Sequence, residues 1–298
     1  MPKTIALLTL HGMGETTDKY YVGLVEKVSN SLGAAVGEVE FQHVYYKKLL
    51  LPNETEIWRR MDKNDLRYDN LRRFVLFAIA DASGLETRKD EKESVYEESQ
   101  IEIAQRLWAA RKALGGNGPL AVVAQSLGGQ VFSNYVWDAQ KNANGGHVSA
   151  GIWKDIDSFA TRIKGEPSAF TRNETAFLGC TTLVGLITTG CNIPIFIAAH
   201  KQLHIRPISK PTEQFEWINF YDRDDVLGWP LRPLNGGYES LVTDRAINAG
   251  KESPSRWIIS GTPMSHTLYW EDDEVIDALA RMILDGRSKP TTRHHRPE

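Results

Sequence analysis

The chain has little of what several protein classes need. It holds only two cysteines in 298 residues, Cys180 and Cys191, and both lie in an apolar region. That placement favours reduced core thiols over a disulfide framework. The formal net charge is −3 and there is no long basic stripe, so nothing gives the chain a general attraction to nucleic acid or acidic lipid. The sequence therefore predicts a protein that binds no nucleic acid.

The beginning of the chain also lacks the features of a secretory leader. Residues 1–10 contain one basic residue and a short apolar run, with no small-residue cleavage site before His11 and Gly12. We expect residues 4–10 to form the first core strand and the protein to be cytoplasmic.

One stretch without a charged residue, 176–199, is long enough to span a bilayer. It also contains three glycines, an asparagine and a proline, which interrupt any continuous apolar helix. This composition predicts a buried parallel strand followed by a loop, and no membrane span.

The length and the 41% hydrophobic content are enough for one large α/β domain over residues 1–298. Apolar and β-branched runs predict strands at 4–10, 36–46, 119–123, 215–221 and 256–259. Amphipathic patterns predict helices at 20–32, 96–114, 130–141, 156–163 and 273–284. Strands that alternate with helices imply a mainly parallel sheet with helices on both faces. Ligands bind such sheets at the carboxyl ends of the strands.

Residues 47–95 interrupt this alternation with charged stretches and isolated apolar clusters, which predicts a helical insertion. Its aromatic residues Trp58, Phe74 and Phe77 indicate a cap that lines the substrate pocket. The alternative is a packed helical decoration that never touches substrate. The tail, 286–298, is predicted to be disordered, and its two adjacent histidines receive no metal role.

Ser126 stands at a predicted strand-to-helix corner. The small residues Ala124 and Gly128, two positions before and after it, allow the backbone to turn sharply enough to raise the hydroxyl above the sheet. The N–H groups that follow would open a helix at its positive end. An ordinary strand-turn-helix connection is the alternative reading of this serine.

A serine hydroxyl is a poor nucleophile unless a base takes its proton, and the base needs an orienting partner. Among the eight histidines, His266 is placed best, beyond the predicted strand 256–259 and before the terminal helix. The loop after the strand 215–221 contains three carboxylates, Asp222, Asp224 and Asp225. The chain order is therefore serine, aspartate, histidine.

These motifs together resemble the α/β-hydrolase family, and especially its lipase and esterase branch, over nearly the whole chain outside the insertion. His11-Gly12-Met13-Gly14 is similar to the family's oxyanion loop after an early central strand. Ser265-His266-Thr267-Leu268-Tyr269-Trp270 is similar to the His-Ser-x-Tyr-Trp ending of bacterial lipases. Gly190-Cys191-Asn192-Ile193-Pro194 stands where relatives often have Gly-Ser-Pro. In the serine corner, Ala124 replaces the usual glycine.

The resemblance implies an α/β-hydrolase fold and a set of roles at the site. The backbone N–H groups of Met13 and Leu127 would bind the developing oxyanion, and His11 would shape the loop. The family's spacing of the acid before a pair of apolar residues favours Asp224, while Asp222 and Asp225 stay open. We expect Ser126 to attack, His266 to relay the proton and Asp224 to orient the imidazole.

The function expected from this resemblance is hydrolysis of carboxylic esters through an acyl-enzyme. The substrate would be a small ester or a lipid-like molecule, and no metal or organic cofactor is implied. The same machinery serves thioesterases, amidases and acyltransferases, which remain alternatives. A non-catalytic binding scaffold is the alternative from a different class.

Overall fold

A computed structural model describes residues 2–14, 16–62, 67–249, 266 and 268–287. Within these residues six strands form one parallel sheet in the order β2-β1-β3-β4-β5-β6. The strands are β1 (Ile5–Leu10), β2 (Val39–Val44), β3 (Leu120–Gln125), β4 (Leu183–Thr189), β5 (Glu216–Asp222) and β6 (Val242–Ile247). The predicted α/β class and parallel sheet are confirmed.

Helices connect and cover the strands on both faces of the sheet. The described helices are α1 (Val22–Leu32), α2 (Leu51–Met61), α3 (Asp69–Glu86), α4 (Val95–Ala113), α5 (Leu127–Ala143), α6 (Ala160–Lys164), α7 (Arg172–Leu178), α8 (Ile193–Ala198), α9 (Gly236–Leu241) and α10 (Asp273–Arg287). Short 3₁₀ turns lie at Lys47–Leu49, Ile156–Phe159 and Tyr269–Glu271, among others.

Two hydrophobic cores lie on opposite faces of the sheet, because side chains alternate along each strand. In β1, Ala6 and Leu8 point into the core shared with α4 and α5, whereas Ile5 and Leu7 point into the core shared with α1 and α10. The central strands are buried on both faces, which explains why β1 reads as a continuous apolar run.

The charge-free stretch 176–199 contains the end of α7, then β4, then α8. The predicted buried strand is confirmed, but the predicted loop is wrong because a short helix follows. Pro194 lies in the first turn of that helix, where its missing N–H costs no hydrogen bond. In the part of the chain that the structure describes, no helix is long and apolar enough to cross a membrane.

Sequence patterns missed β6, which lies at the edge of the sheet. Only its end residues, Val242 and Ile247, are buried, and the polar residues between them carry no apolar alternation. The predicted strand 256–259 lies outside the described residues. Of the predicted disordered tail, residues 286 and 287 continue α10, and the rest lies outside the described residues.

The described part of the segment 47–95 is mostly helical, as its sequence predicts. A 3₁₀ turn, Lys47–Leu49, leads into α2, and α3 packs between α2 and α4. The helix α4 begins after Ser94, whose hydroxyl accepts the N–H of Glu97. Both core cysteines are free and buried, which confirms the prediction of reduced core thiols.

Candidate active site

The order of the strands brings four loops together at the carboxyl ends of the strands, which we call the sheet edge. β1, β3, β4 and β5 are neighbours and run parallel, so the loops that follow them lie side by side at their carboxyl ends. Backbone bonds extend the ladder into these loops. The N–H of Ser126 donates to the carbonyl of Thr189 at 2.8 Å, and the N–H of Gly190 donates to that of Phe220 at 2.9 Å.

Ser126 has a strained backbone, as predicted for a sharp corner. Its φ of 51° and ψ of −121° are rarely adopted by a residue with a side chain. The turn is possible because small residues surround it. A Cβ at Gly12 would lie 2.8 Å from the Ser126 Cβ, and one at Gly128 would lie 2.6 Å from the carbonyl oxygen of His11. The loop after β1 therefore packs directly against the serine.

The imidazole of His266 is buried and faces a carboxylate. Its Nδ1 lies 2.7 Å from Oδ2 of Asp225. An ionised carboxylate only accepts hydrogen bonds, so Nδ1 donates, and in the neutral ring Nε2 is the basic nitrogen. Within the described chain, His266 Nε2 and Ser126 Oγ are both buried and have no hydrogen-bond partner.

Asp225 is held in place by three donors. Besides His266, the hydroxyl of Tyr269 donates to Oδ2 at 2.8 Å and the N–H of Leu227 donates to Oδ1 at 2.9 Å. Burial alone would raise the pKa of Asp225. The hydrogen bond and charge of His266, with the other two donors, outweigh burial and lower the pKa below its usual value. The carboxylate therefore stays ionised beside the imidazole.

The acid that meets His266 is Asp225, not Asp224 as the sequence predicts. A turn after β5, closed by the N–H of Asp225 and the carbonyl of Asp222, leaves Asp224 exposed and directs Asp225 inward. Asp222 is buried too, but its carboxylate accepts the N–H groups of Asp224 and Ala249 and so organises the loop. The prediction relied on the apolar pair Val226 and Leu227, but this pair does not hold the loop against the core, because Val226 is 66% exposed.

Glycines shape the space around this pair, which sequence reasoning missed. Gly190 has a φ of 54°, and a Cβ there would lie 3.1 Å from His266 Nδ1. A Cβ at Gly228 would lie 2.5 Å from Asp225 Oδ2. A glycine following the strand end and a glycine three residues after the acid were the available sequence signals. The side-chain amide of Gln125 also donates to the carbonyl of His266 at 2.7 Å, which ties the histidine to the serine corner.

His11 has the contacts of a residue that shapes its loop. Its Nε2 accepts the backbone N–H of Lys47 at 3.3 Å, so its Nδ1 carries the proton and donates to the Gly12 carbonyl at 2.7 Å. Its ring stacks on Tyr46 with centroids 4.0 Å apart. Burial is the main cause that lowers the pKa of His11 to about 4, and His11 is therefore neutral at physiological pH.

These contacts limit the directions that the Met13 N–H can take. In a planar trans peptide the carbonyl and the following N–H point in opposite directions. Because the Gly12 carbonyl points to His11, the Met13 N–H points away from that ring. Leu127 is the first residue of α5, so its N–H has no acceptor within the helix and lies at the positive end of the helix dipole. Leu127 follows Ser126 directly, and Met13 follows Gly12, which packs against Ser126; their roles as oxyanion donors stay a prediction.

A cavity of about 510 Å³ opens beside His266. Its wall combines apolar rings with a few polar groups. Phe74 from α3 lines it, as the sequence predicts for a cap. Trp58 and Phe77 are not among its described lining residues; they flank Arg73, with Phe77 also next to Lys47. The lining residues are His11, Gly12, Met13, Thr16, Thr17, Tyr20, Arg73, Phe74, Gln125, His266 and Trp270.

The arrangement contains a hydroxyl on a strained turn, a buried imidazole with a basic nitrogen, and an ionised carboxylate that orients it. Such a set can move a proton from the hydroxyl to the imidazole. No protein-family model and no curated protein matches this chain.

Proposed function

We propose that the chain is a serine hydrolase that cleaves carboxylic esters through an acyl-enzyme intermediate. One observation carries the proposal: among the described residues, Ser126 Oγ and His266 Nε2 are buried without hydrogen-bond partners at the same sheet edge, while His266 Nδ1 is committed to Asp225. Buried polar groups are almost always hydrogen-bonded, so two unpaired atoms of complementary chemistry need an explanation. A nucleophile and its base explain both.

In the first half of the reaction, Ser126 Oγ attacks the ester carbonyl carbon while His266 Nε2 takes the hydroxyl proton. The carbonyl electron pair moves to oxygen, and the N–H groups of Met13 and Leu127 stabilise the resulting oxyanion. When the intermediate collapses, the ester C–O bond breaks and the leaving alkoxide takes the proton from Nε2. The acyl group stays on Ser126.

In the second half, water replaces the alcohol. His266 Nε2 takes a proton from the water as its oxygen attacks the acyl carbon, and then returns that proton to Ser126 Oγ. The acid is released and the serine is restored. Asp225 stays ionised throughout, because its lowered pKa keeps it a carboxylate that stabilises the imidazolium.

The volume of the cavity supports an ester of small-molecule size as substrate. A volume of about 510 Å³ lies within the range of small-molecule sites, which are largely apolar with a few placed polar groups. Here Phe74 and Trp270 supply apolar surface, and Thr16 and Gln125 supply polar groups. The cavity is lined by His266 and by Gln125, the residue before Ser126, so an acyl or alcohol group inside it would lie next to the proposed catalytic residues.

The proposal is tested with a fluorophosphonate probe and p-nitrophenyl esters. The parent should react with the probe and hydrolyse the esters, and Ser126→Ala should lose both, with turnover at least 10³-fold lower. Ser133→Ala, a half-buried serine on α5, is the matched control and should keep both. Probe labelling that survives in Ser126→Ala would refute the assignment. Faster turnover of thioesters or amides than of esters would replace the proposed substrate class.

A further inference from the structure

Lys47 forms a buried ion cluster beneath the loop 11–14. The lysine side chain is fully buried, and its Nζ lies 2.7 Å and 2.8 Å from the two carboxylate oxygens of Asp81. It also lies 2.6 Å from Oε2 of Glu54. Asp81 is on α3 and Glu54 is on α2, so the cluster joins both helices of the segment 47–95 to one cation.

The same cluster reaches the loop after β1 at both of its ends. Asp81 Oδ2 accepts the backbone N–H of Gly14 at 2.9 Å, and the backbone N–H of Lys47 donates to His11 Nε2. Gly14 has a φ of 92°, a conformation that favours glycine, so its N–H is presented to Asp81 by a turn that other residues resist.

Two peptide planes on either side of Met13 are therefore fixed. The Gly12 carbonyl is held by His11, and the Gly14 N–H is held by Asp81. Met13 itself has two rotatable backbone bonds between those planes, and holding both planes leaves its N–H little freedom. We propose that Asp81, fixed by Lys47, is a positioning residue that orients the Met13 N–H for the oxyanion; this inference rests on the proposed hydrolase function.

Stability alone is a poor explanation for the cluster. A buried ion pair costs desolvation, and apolar residues of similar volume are often equally stable in its place. What an apolar side chain cannot supply is an acceptor directed at the Gly14 N–H. Glu54 pairs with the same ammonium group and, among the described residues, makes no hydrogen bond to the loop, so within this cluster the acceptor role belongs to Asp81.

Two variants of one residue separate the acceptor from the charge. Asp81→Leu and Asp81→Asn both remove the carboxylate charge, but only asparagine keeps an oxygen that can accept from Gly14. Asp81→Leu should lower kcat for p-nitrophenyl esters by about 10- to 100-fold, less than deleting an oxyanion donor outright, with KM within about threefold. Asp81→Asn should keep kcat within about threefold of the parent. If the charge alone mattered, both variants would lower kcat to the same extent.

Hydrogen exchange of the Gly14 amide, followed by NMR, gives a second readout that needs no activity. The amide should exchange slowly in the parent and in Asp81→Asn, and at least tenfold faster in Asp81→Leu. Equal exchange in parent and Asp81→Leu, or faster exchange with unchanged kcat, overturns the inference. If Asp81→Leu does not fold, the parent decides the question, with Gly236, an exposed glycine at the first position of α9, as the reference for fast exchange. Exchange of Gly14 as fast as that of Gly236 overturns the inference, and slow exchange together with active Asp81→Asn supports it.

The failure of the hydrolase proposal looks different. A parent that neither labels at Ser126 nor hydrolyses esters refutes that proposal and, with it, the catalytic purpose of the positioning. The Gly14 exchange rates then still show whether Asp81 holds the loop.

Discussion

Two buried polar regions of this protein solve opposite problems. Around Lys47, both carboxylate oxygens of Asp81 and one of Glu54 lie within 2.8 Å of the ammonium group, so opposite charges offset part of the cost of burial. At the sheet edge, Ser126 Oγ and His266 Nε2 are buried with no partner in the described chain. In the proposed mechanism the first region fixes the geometry of the loop 11–14, and the second holds the nucleophile and its base. The comparison shows that burial of polar atoms is informative only when it is known whether they are paired.

The largest expected effect concerns the acid at the sheet edge. Asp225→Asn should lower ester turnover by up to about 10⁴-fold, because an amide at this position favours the wrong tautomer of His266. The measurement is steady-state kcat on p-nitrophenyl esters. Asp224→Asn is the matched control one residue away, and since Asp224 is exposed its turnover should stay within a few-fold of the parent. The reverse ranking of the two variants would restore the assignment made from the sequence.

The second largest effect is expected from removing the cation of the Lys47 cluster. Lys47→Met leaves Glu54 and Asp81 buried without their cation and should destabilise the fold by roughly 3–5 kcal/mol. Lys48→Met is the control, because Lys48 is half exposed and its partner Glu102 keeps a second cation, Arg106, when Lys48 is replaced. Its loss should be at most about 1 kcal/mol. Urea unfolding of both variants measures the difference, and equal losses would show that burial of Lys47 does not matter.

The smallest expected effect is a pH dependence of stability. Burial is the main cause that raises the pKa of Glu54 from 4.5 to about 7, against the opposing effect of Lys47 and helped by Asp81. Between these values the folded state binds more protons than the unfolded state, so stability falls as pH rises from about 4.5 to about 7. Unfolding midpoints at pH 5, 6 and 7 should show this slope, and Glu54→Gln should flatten it.

A control for this slope lies on the same helix. Glu56 is partly exposed, and hydrogen bonds from Arg59 and Arg60 lower its pKa to about 2. Glu56→Gln should therefore keep the parent's slope between pH 5 and 7, since the native carboxylate is ionised throughout that range. A slope that survives in Glu54→Gln would assign the pH dependence to another group.

Local patterns predicted the strands β1, β3 and β5 and the corner at Ser126. Each is encoded within a few residues: a continuous apolar run for a strand buried on both faces, and small residues around a sharp turn. The strand β6 lacked such a pattern because its middle residues are polar and partly exposed.

The features that sequence reasoning missed depend on distant contacts. The choice of Asp225 depends on a turn after β5 and on Tyr269, 44 residues away. The ion cluster joins Lys47 to Asp81 across 34 residues, and each is an ordinary charged residue in a charged segment. Phe77 reads as a candidate for the cap because it is aromatic, but packing against Lys47 buries it almost completely. No short window of sequence contains these pairings.

The central claim is that Ser126 carries the acyl group during ester hydrolysis. The most direct measurement is rapid acid quenching of the protein with a p-nitrophenyl ester, followed by peptide mass spectrometry. An acyl adduct on Ser126 that forms as fast as p-nitrophenol is released and disappears at the turnover rate is the predicted result. Turnover with no adduct, or with the adduct on another residue, would contradict it.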